Sequence, residues 1–338
     1  KGFFTTPTHN VAGVSMLQIG WQEEAGVMGR IVNGMIPLRD HHLVMLIDGV
    51  AGITPLWQVE RPESDDHLIC YDGSFVYLLD SRDQRYDILR GSDGLFLKSQ
   101  SLPRHDEIRG LFGSIAVLWD RIDQVSGRLV GYNLSNHEIL WSIEVTGSVT
   151  MTAIDDRHLA LFDAGKNQIL FIDPTQTTPV LFEVSAPRTT ARDLYIEQDP
   201  IHWYVHITQK PAQSIPQNLG LEAGEDINGP ILAISKATRK VAWSTEVEAL
   251  RWIPGQMSSL PFLMYGAKQR TTRPDENGEQ SFLTKSQMLL IDKRTGQQIL
   301  SLPDQITGTL MQFTPDLEKQ EYRWDFESGS LTVTGEPE

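Results

Sequence analysis

The sequence predicts an all-β fold, a β-propeller of about seven four-stranded antiparallel blades, with six and eight blades as open alternatives. Three observations indicate this fold. A strand–turn–strand pattern recurs along the chain, its copies lie about 46 residues apart on average, and helical periodicity is nearly absent. Repeats of this length with several short strands are typical of propellers and of WD40-like proteins. Stacking neighbouring sheets buries the two apolar faces that a single sheet exposes.

The recurring unit has four or five apolar or alternating residues that end on a small polar residue, followed by a turn and a second short strand. The clearest copies are residues 129–145 and 231–247, which place Trp-Ser at the same position and both close on Glu-Val. The first and last intervals between polar residues, 32 and 33 residues, are short for four strands. The polar residues, called anchors below, are Asp48, Asp80, Asn133, Asp173, Ser235, Asp292 and Asp325.

Turn chemistry supports this alignment. Glycine follows the anchor by four residues in three copies, at Gly52, Gly296 and Gly329. A tight hairpin needs a positive φ at such a place, which glycine adopts without steric penalty. Aspartate side chains commonly bind backbone groups two residues further on, so we expect the anchor carboxylates to accept hydrogen bonds from the turn. This prediction is made for Asp48, Asp173 and Asp292.

A large apolar residue follows the anchor by eight residues in several copies. It is Trp141 and Trp243 in the two clearest copies, and Trp57 lies one position later in the first copy. Tryptophans can stack on a planar ligand, but the repeat explains these three as packing residues between blades. Each buried side chain contributes roughly 3 kcal/mol of apolar burial. We therefore expect Trp141 and Trp243 to be buried at equivalent positions.

Composition excludes several partners and sites. The 338 residues include 44 acidic and 29 basic ones, a formal net charge of −15, which disfavours nucleic acid and anionic lipid as partners because both are negative. The single cysteine, Cys70, excludes an intrachain disulfide and a cysteine-based zinc site. No apolar run approaches the roughly 20 residues of a membrane span. Because the chain starts at Lys1 without a leader, we interpret residues 1–338 as one propeller domain of a processed or longer chain.

Two copies of the repeat resemble a known family. "MLLIDKRTGQQIL" (288–300) has a strand, Asp, two residues, Thr-Gly and a short strand, and "ILAISKATRKVAW" (231–243) keeps the tryptophan but has Arg in place of Gly. This pattern resembles the repeat of quinoprotein-like (PQQ-like) β-propellers, over most of residues 40–335. The family includes quinone- and calcium-dependent alcohol dehydrogenases and non-catalytic, BamB-like scaffold proteins. The resemblance implies the fold, whereas function has to be argued from a site.

Motifs of catalysis are few. The quinone-dependent enzymes of the family carry an adjacent cysteine pair near the cofactor, and this chain has only Cys70. It contains no HExxH, GxSxG or GxxxxGK[ST] motif. His202, Tyr204 and His206 share one face of a strand, a spacing that suits a metal, but with no third ligand evident we interpret them as a polar strand face. We assign no catalytic, cofactor-binding or metal-binding residue and no cofactor.

Two connections exceed hairpin length, residues 208–230 and 267–286. Both are rich in Pro, Gly, Gln and charge and show no strand alternation. Each joins the second to the third strand of its unit, as does a milder insertion at 120–127. In a propeller all such connections open at one end, so we predict that end to be the recognition face. Its rim is predicted to carry Arg270, Arg273, Asp275 and Glu276, whose mixed charge favours specificity and association rate over raw affinity.

The sequence thus predicts a non-catalytic propeller that binds another protein or another segment of a longer chain, without nucleic acid and without a membrane span. The alternative is an enzyme or small-molecule binder that uses the central channel, like the quinone- and calcium-dependent dehydrogenases. A concave pocket with convergent polar groups would favour this alternative. A periplasmic or other extracytoplasmic location is favoured over a cytoplasmic one.

Overall fold

The structure is a computed structural model, and the described residues form 28 β-strands and no helix. It describes residues 4–11, 14–20, 27–28, 32–40, 43–50, 55–61, 67–80, 82–124, 126–146, 149–155, 157–189, 191, 193–209, 226–252, 259–274, 280–307, 310–326 and 329–334. By its contacts the chain divides into two compact units, Lys1–Val149 with Ala153–Glu183, and Thr150–Thr152 with Val184–Glu338. The extent of a single domain over 1–338 stays a prediction.

Strands that follow one another in sequence pair as antiparallel, up-and-down sheets, which are the blades of a β-propeller, so the predicted fold class is confirmed. A two-stranded sheet comes first, with β1 (Phe4–Val11) and β2 (Val14–Gly20). Blade 1 has β3 (Val27–Met28), β4 (Met35–Asp40), β5 (Leu43–Asp48) and β6 (Pro55–Glu60). Blade 2 has β7 (His67–Tyr71), β8 (Phe75–Asp80), β9 (Arg85–Arg90) and β10 (Phe96–Ser101). Blade 3 has β11 (Glu107–Phe112), β12 (Ile115–Arg121), β13 (Ser126–Asn133) and β14 (Glu138–Thr146).

The remaining blades follow the same order along the chain. Blade 4 has β15 (Val149–Ala153), β16 (Leu159–Asp163), β17 (Gln168–Ile172) and β18 (Val180–Ser185). Blade 5 has β19 (Asp193–Gln198), β20 (His202–Thr208), β21 (Asp226–Ser235) and β22 (Val241–Trp252). Blade 6 has β23 (Phe262–Pro274), β24 (Gln280–Asp292) and β25 (Gln298–Thr307). Blade 7 has β26 (Leu310–Asp316), β27 (Glu321–Phe326) and β28 (Gly329–Thr334).

Strand β22 takes part in two blades. Most of its length pairs with β21, while Arg251 and Trp252 at its end pair with Gly266 and Tyr265 of β23. This short pairing gives blade 6 its first strand and merges blades 5 and 6 into one seven-stranded sheet. The end of the outer strand of one blade therefore becomes the start of the next blade.

Burial follows the position of each strand in its blade. The middle strands β16 and β17 are buried over almost every residue and read as continuous apolar runs, "LALFD" and "QILFI". A strand covered on both faces needs apolar side chains on both. The outer strand β18, "VLFEVS", alternates between half-buried or buried residues and exposed ones because one side faces solvent.

Several apolar clusters lie between neighbouring blades within each unit, and a further one, around Ile36 and Ile47, lies within blade 1. In the first unit, Leu46 and Trp57 of blade 1 pack with Val76 and Leu78 of blade 2. In the second unit, one cluster joins blades 5 and 6, and another joins Phe262 of blade 6 to Trp324 of blade 7. These blades thus bury a face against a neighbour in the same unit, as stacked repeats require.

The anchor turns have the predicted geometry. The carboxylate of Asp48 accepts the N–H of Val50 at 2.9 Å, and that of Asp173 accepts the N–H of Thr175 at 3.0 Å. Asp292 accepts two backbone N–H groups, at 2.7 and 2.8 Å. These three hydrogen-bond predictions are confirmed.

In blades 3, 5 and 6 the residue four positions after the anchor has the left-handed conformation even where it is not glycine, whereas Thr177 at the same place in blade 4 does not. Gly296 has φ +72°, which confirms the prediction made for it. His137 and Arg239, which hold the same place in blades 3 and 5, have φ +63° and +56°. The turn therefore imposes the conformation, and two blades tolerate the strain of a side chain there.

One anchor, Asp80, was placed on the wrong strand. Asp80 ends β8, the second strand of blade 2, whereas the third strand ends at Arg90. With Arg90 as the reference, the first two intervals become 42 and 43 residues, a regular blade length. The repeat pattern specifies a small polar residue at the end of the third strand, so it did not identify Arg90 as the anchor of blade 2. In blade 7, Asp325 lies inside β27, while Asp316 ends β26 and binds the N–H of Lys319 at 3.1 Å.

The insertion at 267–286 is not a structureless loop, contrary to the sequence-based expectation. Strands β23 and β24 continue through it as a hairpin, paired without interruption from Ala267 with Gln287 to Pro274 with Gln280. Backbone pairing supplies this order, which is why the charged and amide side chains gave no alternating signal. The insertion at 208–230 joins β20 to β21, and residues 210–225 lie outside the described residues. Residues 17–32, the only stretch whose sequence suggests a helix, contain the end of β2 and all of β3 instead.

Candidate functional site

The repeated tryptophans join neighbouring blades. The indole N–H of Trp57 donates to the carbonyl of Gly91 at 2.6 Å, that of Trp141 to Pro174 at 2.7 Å, and that of Trp243 to Lys293 at 2.8 Å. In each case the acceptor directly follows the anchor of the next blade, with Arg90 as the anchor of blade 2. Trp141 and Trp243 are 5% and 9% exposed, so their predicted burial at equivalent positions is confirmed. The indoles are packing residues and present no face to a ligand.

A buried polar cluster lies between blades 5 and 6. Asp199, in the turn between β19 and β20, accepts the hydroxyl of Tyr204 at 2.6 Å and the N–H groups of Ile201 and His202 at 2.7 Å each. The ammonium of Lys293 lies 5.7 Å from the centre of the Tyr204 ring. The carbonyl of Lys293 also accepts the hydrogen bond from the indole N–H of Trp243, so the polar cluster and the tryptophan contact involve the same turn.

Burial and charge shift the pKa values in this cluster. Burial raises the pKa of Glu197 to about 7, an effect that Asp199 reinforces and Lys293 opposes. Burial lowers the pKa of Lys293, against the raising effect of the charges of Asp199 and Glu197. Burial also favours a higher pKa for Asp199, but the hydrogen bonds from Tyr204 and two backbone groups outweigh it and hold that pKa below the usual range.

The face predicted to be polar on β20 is packed interior. His206 is 1% exposed and lies against the Tyr265 ring, and burial lowers its pKa to about 3, so it is neutral. The ring of Tyr204, on the same face, lies against that of Trp243. Within the described part of the chain, no three or more His, Cys, Asp or Glu side chains come together as a metal site would require.

A groove of about 350 Å³ opens between blades 5 and 6, lined by the outer strands β22 and β25 and by the third strand β24. Val247, Leu250 and Leu289 are buried and supply its apolar surface, whereas the side chain of Met288 packs on the other face of β24, with Tyr322 and Trp324 of blade 7. Its remaining lining is polar, and the two carboxylate residues in it are exposed. These polar residues are Glu246 and Glu248 of β22, Gln287 of β24, and Gln298 and Ser301 of β25.

The roots of both long insertions flank this groove. The end of the first insertion pairs with one wall, Pro230 with Glu246 and Gly229 with Val247. The hairpin of the second insertion begins at Ala267, which pairs with Gln287 of the groove. Both insertions join the second and third strands of consecutive blades, as predicted, and one end of each lies beside the same groove.

Comparison with the equivalent repeat in blade 3 (residues 129–145) explains why the groove is open. Five residues after its tryptophan, blade 3 has Thr146 where blade 5 has Glu248. Between blades 3 and 4, the tight turn after β16 crosses this place, and the N–H of Gly165 donates to the carbonyl of Thr146 at 2.9 Å. Between blades 5 and 6, the equivalent turn is replaced by the long β23–β24 hairpin. The insertion therefore leaves uncovered a position that a short turn covers in the repeat without it.

The four residues predicted for the rim of the recognition face belong to the insertion at 267–286, which begins beside the groove. Arg270 and Arg273 lie in β23, three and six residues beyond Ala267, and Asp275 and Glu276 lie outside the described residues. Their role at a recognition face stays a prediction. Sequence reasoning missed the groove itself. The available signal was "EVEAL" (246–250), which extends β22 well past the length of its counterpart β14.

No family model and no curated protein matches the chain. Similar solved structures include BamB from Moraxella catarrhalis, with 13% identity over 95% of this chain and 89% of that one, at a TM-score of 0.39. A chain of the mitotic checkpoint complex has 12% identity over 92% and 87%, at a TM-score of 0.38. The C-terminal WD40 domain of Sif2 has 10% identity over 94% and 98%, at a TM-score of 0.31. These are likenesses of fold alone, and the fold assignment rests on the sheet topology described above.

Proposed function

We propose that the chain is a non-catalytic propeller scaffold that binds another polypeptide at the groove between blades 5 and 6. One observation carries the proposal: the groove opens where two long insertions replace short turns, and the roots of both flank it. Long connections on a rigid repeat scaffold are where binding function concentrates. The partner is another protein or another segment of a longer chain, met outside the cytoplasm.

The buried polar cluster does not compete with the groove as a site of chemistry. Glu197 and Lys293 lie among Tyr204, Tyr265 and the Trp243 contact, so the cluster belongs to the packed face between two blades. The groove combines an exposed rim with buried apolar residues, which is the usual anatomy of a recognition site.

Site-specific photo-crosslinking in the native host tests this function. A photoreactive amino acid at Gln298 or Ser301 is expected to capture one discrete protein, identified by mass spectrometry. The matched control is the same group at Glu144, which lies three residues after Trp141 as Glu246 lies after Trp243. Equal capture at both places, or no capture in the groove, would refute the proposal. Fractionation of the host cells tests the location.

A further inference from the structure

We propose that the open edge of strand β10 in blade 2 pairs with an extended, apolar segment of a partner polypeptide, which adds a further strand to the blade. This edge lies in the first compact unit, whereas the groove lies in the second, so the proposal goes beyond the proposed function and is tested independently of it. Three properties of β10 support it: an unpaired backbone edge, an exposed apolar run, and the lack of the acidic residues that the outer strands of blades 1, 3 and 4 carry.

The backbone of β10 has one edge without a partner strand. In the four-stranded sheet of blade 2, β10 is terminal and pairs only with β9 among the described strands. After one shift near its start, the register is regular over residues 98–101, and next to them the N–H of Leu102 donates to the carbonyl of Gln84 at 2.7 Å. Hydrogen-bonded and non-hydrogen-bonded pairs alternate along an antiparallel ladder. Ser99 and Ser101 therefore direct their N–H and C=O groups away from β9, where a further strand can bind them.

An exposed apolar run leads into this edge. Leu95, Phe96 and Leu97 are 51%, 44% and 39% exposed. In the described part of the chain, no other outer strand has two exposed large apolar residues in succession. The guanidinium of Arg61 lies 4.6 Å from the centre of the Phe96 ring and pairs with Asp87 of β9, so the ring has a fixed position. Strand addition takes affinity from backbone hydrogen bonds and specificity from side-chain contacts, and the edge of β10 offers both.

The edge of β10 lacks the charges that protect comparable edges. Charged side chains and prolines are the usual means by which an edge strand avoids pairing. The outer strands of blades 1, 3 and 4 each have at least one exposed glutamate, namely Glu60 in β6, Glu138 and Glu144 in β14, and Glu183 in β18. β10 contains no acidic residue and no proline, and the ammonium of its one charged residue, Lys98, lies 2.8 Å from Nε2 of His137 in blade 3. Its edge is therefore open to an added strand.

The size of the edge selects a short segment over a second copy of the chain. Six residues at about 3.4 Å each make an edge about 20 Å long, and sheets pack about 10 Å apart, so pairing there covers only about 200 Å² per partner. A stable contact between two folded proteins covers about 800 Å² per partner. Two copies would also bring together two net charges of −15. A flexible segment that becomes extended on binding has neither difficulty, and apolar side chains on it suit the run at 95–97.

A model peptide tests the pairing through backbone amide exchange. The probe is acetyl-Lys-Thr-Val-Thr-Ile-Thr-Lys-amide, compared with the same peptide N-methylated at Val, Ile and the threonine between them, which keeps the side chains but blocks the backbone donors. At millimolar concentration the unmodified peptide is expected to slow amide hydrogen exchange at Ser99 and Ser101 at least fivefold, and the methylated one to have no effect. The outer edge of β14 is the matched control and should exchange unchanged. Equal protection by both peptides, or none by either, would overturn the inference.

Variants of β10 connect the result to its open edge. Ser99→Pro removes an outward N–H but no bond to β9, so it should abolish the protection of Ser101 by the peptide. Ser99→Ala is the control, because both variants lose the hydroxyl contact with Asp87 and only the proline blocks pairing. Should circular dichroism show that Ser99→Pro does not fold, Leu97→Lys places a charge beside the edge and should reduce the protection at least threefold. Full protection in a folded Ser99→Pro, or in Leu97→Lys, would overturn the inference.

Analytical ultracentrifugation tests the other occupant of this edge. We expect the wild type to sediment as a monomer at the concentrations used for the exchange measurements. A dimer that Ser99→Pro or Leu97→Lys abolishes would assign the edge to a second copy of the chain and overturn the inference.

Discussion

At the scale of the residue, the tryptophan of the outer strand is the most consequential single contact between blades. Trp141 and Trp243 each bury a large ring and donate to a carbonyl of the next blade. We expect replacement of either by alanine to lower the free energy of unfolding by about 3–5 kcal/mol. Replacement by phenylalanine keeps most of the burial and loses the hydrogen bond, so it should cost only about 1–2 kcal/mol. Urea denaturation measures both, and alanine variants that cost under about 1 kcal/mol would remove the indoles from the core.

Gly296 has both a positive φ and a close contact with Trp243, whereas Gly113 has only a positive φ. The φ of Gly296 is +72°, and a Cβ there would lie 2.6 Å from the Trp243 ring. Gly113 has φ +58° with nothing within 4 Å of the same position. We expect Gly113→Ala to cost about 1 kcal/mol from backbone strain alone, and Gly296→Ala to cost about 1–3 kcal/mol more because the ring must move. Equal losses in urea denaturation would show that the contact with Trp243 is unimportant.

Glu197 makes stability depend on pH. Its pKa of about 7 in the folded chain is higher than the ordinary value of about 4.3 in an unfolded one. Between about pH 4.3 and pH 7 the folded state therefore retains a proton on Glu197 that the unfolded state loses. The stabilisation from this proton is fully present below about pH 4.3 and is lost as the pH rises through 7. We expect the wild type to lose about 1–3 kcal/mol more stability than Glu197→Gln between pH 5 and pH 8. Parallel stability curves for the two proteins would contradict this.

At the scale of the element, the pairing register of strands β23 and β24 in their hairpin can be tested. Replacing residues 269–285 with Asn-Gly removes equal lengths from both arms and keeps the pair Lys268 with Ser286. We expect this variant to fold with the stability of the wild type, because a two-residue turn suits such a hairpin. Deleting Thr271 alone shifts one arm by one residue and reverses its faces, so it should perturb backbone amide signals throughout the hairpin. A loss of fold in the symmetrical variant, or no change in the single deletion, would contradict the pairing.

Elements were predictable from sequence wherever a local rule fixes them. The anchor turn needs an Asp side chain and a left-handed residue four positions later, and both are visible in "IDKRTG". Arg90 breaks the first half of that rule although its turn still places Gly94 at φ +72°. The extended hairpin was missed because pairing between backbones leaves little trace in the residue types of its strands. Register between strands is set by long-range contacts that no short window contains.

At the scale of the whole molecule, the repeat predicts the blade and the insertions predict where it is interrupted. Predicting the groove requires one further piece of information, the comparison of two blades in three dimensions. Glu248 and Thr146 look unrelated in sequence until the turn at Gly165 is seen to cover one of them. An insertion is visible in a sequence, but the surface that it uncovers belongs to another strand. Sites of this kind are found by aligning repeats on their packing contacts.

The cooperativity of unfolding tests the prediction of a single domain over residues 1–338. A repeat of this kind buries its faces only against its neighbours, so the blades should unfold together. At about 0.7 kcal/mol per residue, one transition of the whole chain carries an unfolding enthalpy of about 240 kcal/mol. The two compact units contain 180 and 158 residues, and independent unfolding would give transitions of about 130 and 110 kcal/mol. We expect one calorimetric transition whose van't Hoff enthalpy matches the calorimetric value, with tryptophan fluorescence and circular dichroism coinciding. A van't Hoff enthalpy near half the calorimetric one would show two domains, because each unit would then complete its core without the other.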